Sequence, residues 1–364
     1  MPADLTDRLL AVRDEADRLA ADDAFSGVLH VQRGDQVLLT SAHGVASRRW
    51  SAPVTTRTRF DIASVTKLFT SVAVLQQVDA GTLDLDASIH RYVDLTGTTV
   101  SPDVTLRHLL SHTSGIADDA DEEAGESYEA LWVDRPTYSV TETADFLPQF
   151  VHKTPVFAPG AGCRYCNVGY VLAGLAVERV SGERYRDVVV RDVLGRARMH
   201  DSGFFDMREA VPDVAEGWEP VRDDEDGPVV GWRQNIFSYP PIGSPDGGAH
   251  STAADLVRFL DAVRAGELLS EASTAAFLAP HALHHTVDDP RPGGPAAVHF
   301  AFGLEIETTP QGTVRSLSKD GINVGASAIV RHYPAQDVTL AVVSNSEGGA
   351  WGPIRLLDAA VLPA

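Results

Sequence analysis

Ser64 and Lys67 stand three residues apart in Phe60-Asp61-Ile62-Ala63-Ser64-Val65-Thr66-Lys67. A serine hydroxyl is a weak nucleophile until a base takes its proton. A lysine serves as that base only when neutral, because an ammonium is a donor alone. Burial and the positive end of a helix both disfavour the charge, and the free amides of a helix start also suit a developing oxyanion. The sequence supplies the helix. Leu68, Val72, Leu75 and Val78 recur at three- and four-residue spacing, and Gly81 stands where a C-terminal cap belongs. Residues 65–80 are therefore predicted helical, with Ser64 at the N-terminus and Lys67 one turn on along the same face.

Context decides whether such a pair means anything, since Ser-x-x-Lys recurs at Ser316-Leu317-Ser318-Lys319. That copy falls in a predicted strand, where residues three apart point to opposite faces, so its serines are set aside as nucleophiles. Lysine usage supports the first copy. Lys67, Lys153 and Lys319 are the only lysines among 30 Lys+Arg. Arginine stays protonated in proteins and cannot act as a base. A composition so biased toward arginine marks the positions that keep lysine.

Other chemistry-bearing residues read as structural. Cys163 and Cys166 are the only cysteines and form a Cys-x-x-Cys. A zinc site would need two further ligands and no second pair exists, so two reduced, packing thiols are expected. His108 and His112 have the i, i+4 spacing of a two-histidine metal site, yet no Glu follows His108, and residues 101–116 read as a buried helix with polar caps. His281, His284, His285, Asp288 and Asp289 cluster in a Pro/Gly-bounded stretch read as a solvent-facing loop. The reading calls for no metal and no cofactor.

The chain has 364 residues, 44% of them hydrophobic, and a formal net charge of −21. That is ample for a large core, in one domain or two intimate lobes. Such acidity disfavours nucleic acid and anionic membranes as partners, and no stretch of about 18 apolar residues is present to span a bilayer. Residues 1–21 alternate charge with leucine and lack the apolar core of a leader, so they read as an amphipathic helix of a cytoplasmic enzyme. Oligomeric state is left open.

Residues 25–32 and 36–41 read as strands around Arg33-Gly34-Asp35. Residues 82–93 are irregular, 118–126 an acidic mobile loop, and 140–150 a helix capped by Thr141. Helices are expected at 168–180, stopped by Ser181-Gly182, and at 185–194; residues 206–231 are charged and irregular. Gly247 to Thr252 lead into a helix over 253–265. Strands return at 299–307, 325–333 and 338–344 before a helix over 353–361. The fold class is thus α/β of the α+β type: an antiparallel sheet of about five strands built from both chain ends and flanked by helices. As one domain it divides into a sheet lobe, 1–82 and 261–364, and a mostly helical lobe, 83–260.

Three elements stand out: Ser64 with Lys67, Tyr165-Cys166-Asn167, and Lys319-Asp320-Gly321. Together they resemble the signature of the serine β-lactamase and penicillin-binding-protein superfamily: Ser-x-x-Lys, Tyr-x-Asn, and Lys-Thr-Gly or His-x-Gly. The class C β-lactamases, DD-peptidases and β-lactamase-like esterases are the nearest subgroups. Leu109 to Gly115, Pro159-Gly160 and the helix from Gly169 to Gly182 are similar to family segments in family order, so the resemblance covers most of the chain. It implies a β-lactamase/transpeptidase-like fold and a serine hydrolase acting on a small ester, amide or peptide. It implies Ser64 as the acylated nucleophile, with Lys67 orienting it and sharing its proton. Tyr165 would be base toward Ser64 and acid toward the leaving group. Asn167 would bond Lys67 and the substrate, Lys319 would line the opposite wall, and the backbone N–H groups of Ser64 and Ile322 would form the oxyanion hole.

The residue chemistry agrees, since two ammonium groups beside a phenol favour the phenolate a base requires. A Ser-His-Asp α/β-hydrolase would need Gly-x-Ser-x-Gly, which is absent. A β-lactamase or DD-peptidase acting on carboxylate-bearing substrates is one alternative, and a catalytically silent binding protein on the same scaffold is another. One departure bears on the choice. Asp320 stands where Lys-Thr-Gly has a threonine that helps hold a substrate carboxylate, and an ionised aspartate only accepts. An esterase or amidase with weak β-lactamase activity is therefore expected.

Overall fold

Residues 338–344 are buried along their whole length and feed two cores. Leu340 and Val342 pack on one face of the main sheet, Ala341 and Val343 on the other. A strand covered on both faces reads as an unbroken apolar run, and this one lies near the middle of the sheet. The computed structural model describes residues 5–224, 227–288 and 294–362.

In chain order, α1 (Leu5–Ala21) leads to β1 (Gly27–Arg33), β2 (Gln36–His43) and the short β3 (Val45–Ser47), β4 (Ala52–Pro53) and β5 (Phe60–Asp61). A 3₁₀ turn, Ala63–Thr66, opens α2 (Lys67–Asp79). Next come α3 (Leu106–Leu110), α4 (Val168–Ser181) and α5 (Tyr185–Val188), which runs on as a π-helical turn over Val189–Leu194. Then follow β6 (Trp218–Arg222), β7 (Val229–Gln234), β8 (His250–Ser251), α6 (Ala253–Arg264) and α7 (Glu271–Phe277). The remainder carries β9 (Ala282–Thr286), β10 (Ala297–Phe300), β11 (Glu305–Thr308), β12 (Val314–Asn323), β13 (Ala326–Tyr333), β14 (Val338–Ser344) and α8 (Trp351–Val361).

The main sheet is antiparallel, in the order β2-β1-β14-β13-β12-β11-β10-β9. Strand β1 lies between β2 and β14, in register from Gly27↔Ser344 to Arg33↔Val338, so the sheet is made from both ends of the chain, as expected. Leu9, Val12 and Ala16 of α1 join Ile354 and Leu357 of α8 over one face. On the other face α2 is buried almost all round, through Leu68, Phe69, Val72 and Leu75. Among the described residues no helix is long and apolar enough to cross a membrane.

The class is as read, but eight strands stand where about five were expected. The single strand predicted over 299–307 is two, β10 and β11, because the chain reverses at Gly303 with φ +90°. The histidine-rich stretch read as a loop is the edge strand β9; its polar side chains suit an edge. His281 stacks on Phe302 at 3.8 Å and His284 on Phe300 at 4.4 Å; Asp289 lies outside the described residues. The irregular region 206–231 contains most of the β6–β7 hairpin, whose charged residues mask its alternation. Residues 143–149 form a 3₁₀ helix capped by Glu142 rather than Thr141, with Pro148 withholding one N–H. Helix α3 is only five residues long, so His108 and His112 do not share a helical face. His108 closes a capping box with Thr105, and His112 lies beyond the helix at φ +59°.

Candidate active site

The serine turn is fixed from both sides. Strand β5 pairs with β8, Phe60 opposite Ser251 and Asp61 opposite His250. Asp61 Oδ1 then accepts the Ala63 N–H at 2.7 Å. Ala63 takes φ +43°, a left-handed conformation that costs a residue with a Cβ about 1 kcal/mol or more. Thr66 Oγ1 holds the turn, donating to Ala63 O at 2.7 Å and accepting the Ala249 N–H at 3.0 Å. Ser64 thus sits in a 3₁₀ turn one step before the α-helix, where the sequence placed it at the start of the helix itself.

Lys67 has no exposed surface. A buried ammonium must have partners, and Nζ has three: Ser64 Oγ at 3.0 Å, Asn167 Oδ1 at 2.8 Å and the carbonyl of Asp246 at 2.6 Å. Three acceptors match the three N–H groups of an ammonium. Asn167 is held in turn, because Asp118 accepts its N–H at 2.8 Å and that of Val168 at 3.0 Å. Asp118 and Asp119 are therefore buried parts of the scaffold, not the mobile acidic loop read from composition. Lys153 Nζ pins them, donating to the carbonyls of Asp118 at 2.8 Å and Asp119 at 2.5 Å. Burial, then the charges of Asp118 and Asp246, push the Asp119 carboxyl well up.

Two lysines approach Tyr165, Lys67 Nζ and Lys319 Nζ each lying 5.0 Å from its ring centroid. Lys319 comes from β12 and is buried. Its partners are Glu305 Oε1 at 3.0 Å and Asp320 Oδ1 at 3.3 Å. Burial alone would lower its proton affinity; Tyr165, Glu305 and Asp320 more than offset this and hold it well above the usual lysine value. Strand β11 pairs with β12 only as far as Ser318, so Lys319 to Asn323 have no strand neighbour on that side. Gly321 there approaches the serine turn so closely that a Cβ would lie 2.3 Å from Ile62 O and 2.7 Å from Ser64 N. No other residue fits.

A cleft of about 440 Å³ opens on Ser64 and Asn167, with Ile322 and Tyr239 on its walls. Glu129, Glu219 and Glu347 also line it, and its described lining contains no lysine, arginine or histidine. Burial, then Glu129, raises the carboxyls of both Glu219 and Glu347 above the usual value. Cys166 is buried, its Sγ near Ile116 O, and Cys163 is half-buried; both are free thiols, and burial pushes Cys163 up to about 11.

The structure therefore brings Ser64, Lys67, Tyr165, Asn167 and Lys319 together, sets Asp320 beside Lys319 and Gly321 beside Ser64, and puts Ile322 in the cleft. Sequence reasoning missed Asp246, Glu305, Asp118 and His112. The one available signal was the Leu109 to Gly115 segment, in which His112 was read as part of a helix.

Such a serine turn, set against the stretch of β12 beyond its pairing with β11, fits a serine hydrolase of the β-lactamase-like class. The chain belongs to the Beta-lactamase family, whose model matches residues 12–362. It is similar to the crystal structure of a penicillin-binding protein from Bacillus halodurans, with a TM-score of 0.85 and 34% identity over 94% of this chain and 99% of that one. It is 33% identical to esterase EstB of Burkholderia gladioli over 288 residues, 72% of this chain and 71% of the esterase. Penicillin-binding protein 4* of Bacillus subtilis (strain 168) is 26% identical over 332 residues, 89% of this chain and 68% of that protein.

Proposed function

We propose that the protein hydrolyses neutral or amine-bearing esters and amides through an acyl-enzyme on Ser64. The observation that carries this reading is the 3.0 Å contact between Lys67 Nζ and Ser64 Oγ. With its three N–H groups directed at three acceptors, Lys67 donates to Ser64 and fixes its hydroxyl. The proton then goes to Tyr165, whose ring has Lys67 Nζ and Lys319 Nζ each 5.0 Å from its centroid. Ser64 Oγ attacks the carbonyl carbon while the N–H groups of Ser64 and Ile322 receive the oxyanion. Collapse expels the alcohol or amine, which takes the proton back from Tyr165. Water repeats the sequence on the acyl-enzyme, releasing the acid and restoring Ser64.

The substrate preference follows from charge. Lys319 already has two carboxylate partners, Glu305 and Asp320, and is poorly placed to bind a substrate carboxylate as well. The glutamates of the cleft repel anions and suit a neutral or ammonium-bearing group. The likeness to an esterase supports this reading, while the likeness to two penicillin-binding proteins supports the alternative, a β-lactam or peptidoglycan substrate. A panel of p-nitrophenyl esters, amino-acid amides, a chromogenic cephalosporin and D-alanyl peptides separates them. Esters or amides should turn over best, Ser64→Ala should abolish turnover, and a slow substrate should leave a mass adduct on Ser64. Preferred hydrolysis of the cephalosporin would refute the substrate reading, and substantial turnover by Ser64→Ala would refute the mechanism.

A further inference from the structure

Residues 164–166 are each met by one residue, His112, while Glu123 Oε1 accepts the N–H of Tyr165 at 3.1 Å and Asp121 Oδ1 the guanidinium of Arg164. His112 O accepts the N–H of Arg164 at 2.9 Å. Its ring stacks on the ring of Tyr165, with centroids 4.6 Å apart and planes at 28°. Its Nδ1 accepts the N–H of Cys166 at 3.1 Å. Three consecutive residues, with Tyr165 in the middle, are thereby fixed to one point. His112 is itself held. It is 2% exposed, flanked by Phe300 at 4.7 Å and Tyr170 at 5.4 Å. Its φ of +59° is a conformation that persists only where surrounding contacts impose it.

The chemistry requires a neutral imidazole. An acceptor at Nδ1 and a flat aromatic face occur together in no other side chain: tryptophan only donates, phenylalanine has no acceptor in its ring, and asparagine has no ring. A protonated ring would have two donors and would lose the Cys166 contact. It would also place a third cation beside Lys67 and Lys319. Burial, with Lys67, Lys319 and His284 nearby, pushes its proton affinity well down and keeps the ring neutral.

We propose that His112 is the positioning residue for Tyr165, setting the phenol beside the two lysines so that proton exchange with Ser64 is aligned. This rests on the reading of Tyr165 as the proton carrier. A displacement of about 1 Å at such a group can cost about a hundredfold in rate, and His112 meets both the face of the ring and the N–H groups on either side of it.

The test separates the two halves of the grip. His112→Phe keeps the flat face and removes the acceptor; His112→Asn keeps an acceptor and removes the face. Each is made alone and in a Tyr165→Phe background, and acylation by a p-nitrophenyl ester is followed before the steady state. Each single variant should acylate about tenfold or more slowly, with KM within about threefold of wild type. Added to Tyr165→Phe, either should cost less than about twofold, because its effect runs through the phenol. Full multiplication of the losses in the double variants would mean a merely structural role and overturn the proposal. Slow acylation by Tyr165→Phe beside wild-type rates in both His112 variants defeats the positioning role alone. Fast acylation by Tyr165→Phe defeats the Tyr165 assignment and the positioning role with it. If one His112 variant fails to fold, the other completes the cycle.

Discussion

Tyr165 has a wall on each side, and the two walls hold their ammonium groups in opposite ways. On the α2 side Lys67 is bound only by neutral oxygens, from Ser64, Asn167 and the Asp246 carbonyl. On the β12 side Lys319 is bound by carboxylates, Glu305 and Asp320. The distance to the tyrosine ring is the same on both sides, 5.0 Å. Distance is therefore not what separates their roles. Lys67, among neutral acceptors, has no carboxylate of the described residues hydrogen-bonded to it and touches Ser64 Oγ at 3.0 Å. Lys319, among carboxylates, has its charge matched by Glu305 and Asp320 and ties β12 to β11.

Removing each lysine in turn separates the two walls. Lys67→Met should slow acylation by about 10³-fold, the middle of the range for a lost proton-handling group. Lys319→Met should cost only about tenfold on a neutral ester, since the charge it removes is already answered. Comparable losses in single-turnover measurements would erase the distinction between the walls.

A smaller effect comes from releasing Lys319. Asp320→Thr removes one carboxylate and restores a hydroxyl donor, and it should raise the rate on a chromogenic cephalosporin relative to a neutral ester by about tenfold. An unchanged ratio would mean that Asp320 has no bearing on substrate charge.

The smallest effect probes the scaffold behind the α2 wall. Asp119 has its carboxyl held well above the ordinary value by burial and by Asp118 and Asp246. The folded state thus holds that proton more tightly than the unfolded chain. Its stabilising contribution is complete below the unfolded value, about pH 4, and is lost as pH rises through the folded one. Asp119→Asn cannot ionise, and its amide oxygen can still accept the Ala120 N–H, now bonded at 2.9 Å. It should raise the unfolding midpoint by about 2 °C at pH 8 and give no gain at pH 4. An equal shift at both pH values would contradict the assignment.

The asymmetry of the walls was only half legible in the sequence. Ser64 and Lys67 could be paired because spacing along a helix fixes which side chains meet, and Lys319 because its tripeptide resembles a known signature. Their partners follow no such rule. The Asp246 carbonyl is a backbone atom that any residue would supply. Glu305 reaches Lys319 through strand register, which the missed reversal at Gly303 obscured. Asp118 sits in an acidic run that composition assigns to solvent; backbone donors at Asn167, Val168 and Asp119 offset the cost of its burial. The strand count fell short for a related reason. Buried β13 and β14 announce themselves as apolar runs, whereas β10 and β11 merge into one run across Gly303 and β9 carries histidines that hide a period of two; charges hide the separate β6–β7 hairpin in the same way.

The pairing of β1 with β14 has a consequence for how the enzyme comes into being. The serine turn is encoded early in the chain and the strand that faces it late, and β1 meets its inner neighbour only when Val338–Ser344 are available. A chain emerging from the ribosome therefore carries Ser64 and Lys67 long before Gly321 can close against them. Contacts so distant in sequence form slowly, and until they do β1 exposes an unpaired edge to other chains. Activity in this molecule is thus a late event of folding: hydrolysis reports that the two ends of the chain have met.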